Sequence, residues 1–345
     1  MRFLFKTDYD QDIRLAKHGG HVFWYSLLGL FLVSAPFTVE EYWLSQMTFV
    51  LIYAIVGLGL MLLAGFTGLF SLGHAAFLGV GAYTVAIVQA RWGLSALPAL
   101  LAAGCVSTAC GIVVGLPSLR VKGLYLAIAT IAAGVLAHFV FSHFASFTGG
   151  PAGLTVKPAN VFGVDLDNSF RFYWLVVPVT ALLLLGAANL FRTRIGRAFI
   201  AIRDRDISAE VLGIPLLRYK LLSFAISSFY AGVAGGLFAY FFRAITPESF
   251  PLVMSIFFLA AVIVGGMGSV LGGILGAVFM TLVPEVLKLV MGWLPLSGNT
   301  LMYLSPVRTI VFGALIILFL VFEPLGLAEV WRRVRRAFHL WPFRT

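Results

Sequence analysis

Long, uninterrupted apolar runs dominate this chain, in place of the alternation of a strand or the 3.6-residue stripe of a soluble helix. Runs near 21–37, 43–64, 94–116, 123–146, 172–190, 221–242 and 306–322 are each long enough, as helix, to cross about 30 Å of hydrocarbon. Residues 69–90 make a further run after a glycine-rich opening, and 252–290 is too long for one crossing. Gly265-Gly-Met-Gly-Ser269 divides that long stretch in two. The pattern predicts an all-α polytopic membrane protein of about ten helices with broken or re-entrant glycine-rich segments. Eight is the rival count, reached if 69–90 and 252–266 re-enter instead of crossing.

Composition agrees: 61% of residues are hydrophobic and 11% charged, with a mean hydropathy of +1.00, values that exclude a soluble domain. The net charge of +10 raises the question of nucleic acid, but the basic residues fall in three blocks. These are an amino-terminal arm (Arg2, Lys6, Arg14, Lys17), the segment 191–220, and a carboxy-terminal cluster (Arg332, Arg333, Arg335, Arg336). Each adjoins an apolar run, so the lipid bilayer with its anionic headgroups is the expected partner, and no nucleic acid. Short loops rich in Lys and Arg stay in the cytoplasm. All three blocks, and with them both termini, are therefore expected inside, which demands an even number of spans. Ten spans place Glu40-Glu41, 147–171 and 243–251 outside, and Arg120 and Lys122 in a cytoplasmic turn. The chain then divides into a cytoplasmic arm (1–20), a transmembrane domain (21–322) and a basic cytoplasmic tail (323–345). Pro36 spoils the small-residue site at Val33-Ser34-Ala35, so an uncleaved first span is expected. Cys105 and Cys110, in one apolar run without metal-ligand spacing, read as packing residues.

The segment 191–220 carries seven basic residues and three acids in a chain otherwise nearly free of charge. It also has internal design. Asp206 is placed to cap a short helix, Glu210 to complement its positive end, and Gly213 with Pro215 to stop it. So short a helix is marginal alone in water. With Ile207, Val211 and Leu212 available to pack, it reads as a contact surface, docked on the membrane domain or on another protein. The alternative is an ordinary basic loop that only sets orientation.

Gly65, Gly68, Gly73, Gly79 and Gly81, interspersed with Thr67, Ser71 and His74, predict a broken helix over 65–81, since non-helical backbone at membrane depth must be buried or line a wet cavity. Gly65, Thr67, Gly68, Ser71, Gly73 and His74 are the candidate pathway residues. His74 has two readings, a pathway-lining group or a structural histidine bonded to a backbone carbonyl. The glycine-rich breaks near 65–73 and 264–273 suggest a repeat, taken as inverted because the spans before them are assigned opposite directions. Gly268 and Gly272, four apart, suit close helix packing, and Glu285 with Lys288 suits an ion pair on one helix face. Thr148-Gly-Gly-Pro-Ala-Gly153 predicts a structured turn. No phosphate-binding loop, His-Glu-x-x-His pair or Gly-x-Ser-x-Gly elbow occurs, so no catalytic residue, metal site or cofactor is expected. Charges strung through the spans, as a proton-coupled carrier would need, are also missing.

Several runs carry a family resemblance. Gly65-Phe-Thr-Gly-Leu-Phe-Ser-Leu-Gly-His-Ala-Ala-Phe-Leu-Gly-Val-Gly-Ala-Tyr83 resembles the signature of the permease subunits of branched-chain amino acid ABC importers, LivM type. Leu119-Arg-Val-Lys-Gly-Leu-Tyr-Leu-Ala-Ile-Ala-Thr130, Thr148-Gly-Gly, Gly196-Arg-Ala through Ile214, and Glu323-Pro-Leu-Gly-Leu327 match in the same order. The departures are Pro151-Ala-Gly-Leu after the Thr-Gly-Gly motif and Leu325 where a basic residue is usual. The resemblance implies half of a translocation pathway in a bacterial inner membrane. It implies a second homologous permease subunit, two cytoplasmic ABC ATPase subunits that hydrolyse the ATP, and a periplasmic amino-acid-binding protein delivering leucine, isoleucine, valine or a relative. It makes 191–220 the ATPase-coupling loop at Gly196, Arg197, Ala209 and Gly213, with Arg203, Asp204, Asp206 and Glu210 in the same element. Permeases for urea and short-chain amides are similar, and a stand-alone channel or secondary carrier is the competing class.

Overall fold

A computed structural model of the protein describes residues 19–118, 123–161, 163–292, 304–323 and 325–340. The amino-terminal arm through His18 and the Arg120–Lys122 turn lie outside the described residues. Helices stand where the apolar runs do: α1 (Gly19–Thr38), α2 (Glu41–Leu60), α3 (His74–Trp92), α4 (Ala96–Ser118), α5 (Leu124–His143) and α6 (Ser169–Leu190). Two short helices, α7 (Arg194–Asp204) and α8 (Asp206–Val211), occupy the basic loop. Then come α9 (Leu216–Phe242), α10 (Leu252–Gly265), α11 (Val270–Gly292), α12 (Leu304–Phe322) and a tail helix, α13 (Leu327–Leu340). Seven of the described helices are long and apolar enough to cross a membrane, among them Glu41–Phe66, Leu216–Phe242 and Val270–Val290; α1 contributes a shorter apolar stretch, Ser26–Thr38. The protein is thus a mostly helical, polytopic membrane protein.

Helix α9 is the centre. Every residue from Tyr230 to Tyr240 is buried, and the small ones let neighbouring backbones touch. A methyl group on Gly232 would stand 2.5 Å from the Ala103 carbonyl oxygen of α4, and one on Gly235 would collide with the Leu78 carbonyl of α3. Dispersion between backbones packed this closely replaces the hydrophobic drive that lipid cannot supply. Large apolar side chains such as Leu182 in α6 and Ile317 in α12 point outward, exposed. Cys105 is also on an exposed face and Cys110 is half-buried, so only the second packs as expected.

The helix ends sort into two sets. At one end, Leu154 and Thr155 pair antiparallel with Ile245 and Ala244, a second small hairpin joins 159–161 to 164–166, and Gln89 donates to the Pro158 carbonyl (2.9 Å). Arg243, left-handed at φ 58°, ends α9 there and binds Asp167. The Thr148–Gly153 turn forms as expected, with Gly149, Gly150 and Gly153 all at positive φ. Lys288 pairs with Glu285 (2.6 Å), as its spacing foretold, and Tyr42 donates to the other carboxylate oxygen (2.6 Å). The other end holds the basic loop and both helix breaks.

Two expectations are corrected. The first break is shorter than 65–81: α2 runs on through a π-helical turn, Met61–Phe66, and Thr67, and the non-helical chain covers only 68–73. Gly79 and Gly81 lie inside the continuous helix α3, where Gly81 faces Gly232. Nor are the two breaks related by inversion. From Gly57 to Gly65, α2 meets first Gly273 and then Gly268, so it runs antiparallel to α11. Gly265 and Ala261 of α10 meet Gly272 and Gly276, so α10 is antiparallel to α11 as well. Helices α2 and α10 therefore approach their breaks in the same direction. The packing row on α11 is Gly272 and Gly276, while Gly268 sits in the turn before it.

Candidate functional site

Each break leaves backbone groups that the helix ladder no longer satisfies. In the first, the Leu69 N–H returns to Leu63 O (3.1 Å) and the Thr67 hydroxyl to Leu62 O (3.1 Å). The Leu72 N–H is accepted by Thr130 Oγ1 of α5 (2.9 Å), and the Ala75 N–H by Ser255 Oγ of α10 (2.9 Å). Gly73 packs so tightly on the Thr130 carbonyl that no side chain fits there. The second break closes mostly within its own turn, and one of its N–H groups reaches out: that of Gly268 points to Met61 Sδ in the π-helical turn (3.2 Å). The Gly272 N–H bonds both the carbonyl and the hydroxyl of Ser269 (3.0 Å each), and Gly266 and Gly268 take φ of 109° and 86°.

The basic loop joins them. Arg203, near the end of α7, donates from Nη1 to the Gly65 carbonyl (3.0 Å), where the π-helical turn ends. The same nitrogen lies 3.0 Å from where a Cβ on Gly268 would stand, and the Arg203 stem packs on Gly68. Its Nε and Nη2 grip Asp204 Oδ1 at 3.0 and 2.9 Å, which aims the guanidinium. Phe191 stacks on Phe66 with ring centroids 3.5 Å apart, and Phe199 is wholly buried beneath α7. Gly196 has the Phe191 Cα 2.5 Å from its missing Cβ, so only glycine lets α7 turn back on the end of α6. Arg197 is exposed. A cleft of about 510 Å³ opens between Thr67–Leu69 and the loop from Ile202 to Ser208, with Lys220 on its wall.

Helix α8 departs from expectation at its start and matches it at its stop. Arg205 occupies the capping position and Asp206 is the first helical residue, where its charge suits the helix N-terminus while the side chain faces Lys220 (3.7 Å). Glu210 lies in the last turn and does not complement the positive end. At the stop, Gly213 is left-handed (φ 86°), its N–H bonds Glu210 O (2.9 Å), and the Ile214 N–H bonds Ala209 O (3.0 Å), a complete Schellman cap. Ala209 is buried against the protein. Ile207, Val211 and Leu212 are 69, 83 and 81% exposed, so the apolar face of α8 is turned away from the rest of the chain.

Of the pathway candidates, Gly65, Thr67, Gly68, Ser71, Gly73 and His74 all fall in or beside the first break. His74 is the first residue of α3 and fully buried, near Gly59 of α2. Neither ring nitrogen has a hydrogen-bond partner among the described residues, and neither does Ser71 Oγ. The structural reading of His74, bonded to a backbone carbonyl, is therefore not what is seen. Sequence reasoning missed the meeting of the two breaks at Arg203. A signal was present: both breaks follow even-numbered spans, which end on the same side.

The described helices, with two breaks gathered under one charged loop, are those of a polytopic membrane protein. Residues 42–320 match the model of the family described as "Branched-chain amino acid transport system / permease component". The chain belongs to that family. It is 34% identical over 324 residues to the high-affinity branched-chain amino acid transport system permease protein LivM of Salmonella typhimurium, covering 87% of this chain and 73% of that one. Identity to the Escherichia coli LivM is 33% over the same lengths. A probable LivM permease of Methanocaldococcus jannaschii is 25% identical over 229 residues, 63% of this chain and 64% of that one.

Proposed function

We propose that this chain is one transmembrane half of an ATP-driven importer of branched-chain or related amino acids, crossing a bacterial inner membrane about ten times with both ends in the cytoplasm. A homologous permease subunit completes the pathway, two cytoplasmic ATPase subunits hydrolyse the ATP, and a periplasmic protein delivers the amino acid. This chain is non-catalytic. The observation that carries the reading is the capped helix α8, which turns three large apolar side chains outward while Arg203, one turn before it, is bonded to the first helix break and packed on the second. Isolated helices this short do not hold themselves, and an exposed apolar trio on a fixed helix marks a seat for a partner protein. Movement of the ATPases would shift α8 and α7 as a rigid lever, and Arg203 would pass that shift to the ends of α2 and α10 together. The first break, where Ser71 and His74 have no hydrogen-bond partner among the described residues, supplies polar groups to the pathway; buried polar atoms left unsatisfied in one state point to water or solute in another.

The test is Val211→Asp with Leu212→Asp in the complete transporter. Both side chains are exposed in this chain, so insertion and amount should be unchanged. ATPase subunit recovery and ATP-driven leucine uptake should fall more than about tenfold, since each buried aliphatic side chain is worth ~1.5–3 kcal/mol. Unchanged assembly and uptake would show that α8 is only an orientation signal.

A further inference from the structure

We propose that the tail helix α13 is a membrane-surface helix that lies on anionic phospholipid at the loop end of the protein, an inference that rests on the long helices crossing a bilayer. Only four residues separate the end of α12 at Phe322 from Leu327, so α13 starts where the last apolar helix leaves the membrane. Its start is pinned. Gly326 (φ 76°) abuts Gly266, where an added Cβ would stand 2.5 Å from the Gly266 backbone, and Ala328 is buried. Leu327 packs on Ala261, Val264, Phe279 and Met280, apolar residues of α10 and α11. That contact fixes how the helix is rolled, because Trp331 and Val334, four and seven residues on, share the Leu327 stripe. Their side must face the same way, toward the layer that surrounds α10 and α11. Among the described residues nothing covers them, for Trp331 is 57% and Val334 42% exposed.

The polar side names the lipid. Arg332, Arg333, Arg335 and Arg336 are all exposed, against two acids, Glu323 and Glu329. Glu329 is met by Arg332 (3.0 Å) and Arg336 (3.7 Å) and Glu323 by Arg333 (2.8 Å), which neutralises the acids and leaves the surface cationic. An apolar stripe flanked by arginines suits a sheet of phosphates over acyl chains, with Trp at the boundary. Helix α8 is the contrast: its apolar residues Ile207, Val211 and Leu212 have Glu210 among them and no arginine.

The test uses the full-length chain with Cys105 and Cys110 replaced by Ala, carrying one polarity-sensitive fluorophore at Val334→Cys, Arg336→Cys or Leu182→Cys, in nanodiscs of phosphatidylcholine alone or mixed with phosphatidylglycerol. In the anionic discs the label at 334 should be quenched by nitroxide lipids and shielded severalfold from aqueous iodide relative to the label at 336. The shielding should drop severalfold in neutral discs, in high salt, and when all four arginines become Gln. Iodide reaching both positions equally would overturn the proposal. So would shielding that ignores lipid charge, or that develops only when ATPase subunits are added, which would make the partner a protein. Leu182, on the outward face of α6, reports separately whether the long helices lie in lipid, so a failure of that reading is distinguishable.

Discussion

The two helix breaks do the same thing to the chain by opposite means. The break at 68–73 hands freed N–H groups at and just after it to Thr130 and Ser255, side chains on two other helices. The break at 266–269 is closed mainly by Ser269 within one tight turn, with only the Gly268 N–H reaching outside it, to Met61 Sδ (3.2 Å), and glycine backbone packs on glycine backbone around it. A break held by side chains of two other helices changes when they move, whereas a turn closed mainly by its own serine keeps its shape as it moves. Arg203 bonds to Gly65 at the first and leans on Gly268 at the second, so the loop touches both breaks at one end of the protein.

That contrast is open to attack in order of expected effect. Gly265→Val should be the most damaging substitution, because its Cβ would meet the Gly272 carbonyl and lie 2.7 Å from the Gly276 nitrogen, backbone atoms that cannot yield. A loss of about 3 kcal/mol or more is expected, seen as a collapse of the monodisperse peak in detergent. Thr130→Val comes next. It strands the Leu72 N–H and should cost ~1–3 kcal/mol by thermal unfolding, whereas Ser269→Ala should cost less, because the Gly272 N–H keeps the Ser269 carbonyl. Equal effects would erase the distinction between the breaks. Arg203→Met keeps the stem on Gly68 and removes the guanidinium. Its stability loss should be small, about 1 kcal/mol for a partly exposed charged hydrogen bond, yet uptake per ATP hydrolysed should fall severalfold, with Lys restoring part of it. Smallest should be Gly213→Ala, where open space surrounds the site and only the left-handed φ is at stake; a loss of about 1 kcal/mol is expected in the melting temperature of the purified chain.

Much of helix α8 was legible along the chain. Gly213 and Pro215 announced the stop because only glycine takes a left-handed cap at no cost, and the apolar residues of α8 were visible as a set. The start was misread: Asp206 is a good capping residue in isolation, but the chain bends one residue earlier, and the pairing with Lys220 draws Asp206 into the helix instead. The glycine signature announced a break near 65 without its limits. Whether Gly79 and Gly81 bend a helix or let another helix approach depends on what stands opposite, and that is Phe141 and Gly232.

By itself the sequence determined where the helices run, that they belong in a bilayer, and which family the chain joins, since length and hydropathy are properties of a segment alone. Only the tertiary structure decided that two breaks two hundred residues apart meet at one arginine, that the helices before them run in parallel, that His74 has no hydrogen-bond partner among the described residues, and that α8 and α13 turn apolar faces outward. Those are relations between segments. In a membrane the apolar runs are chemically alike, so close glycine contacts and the few buried polar bonds choose the neighbours.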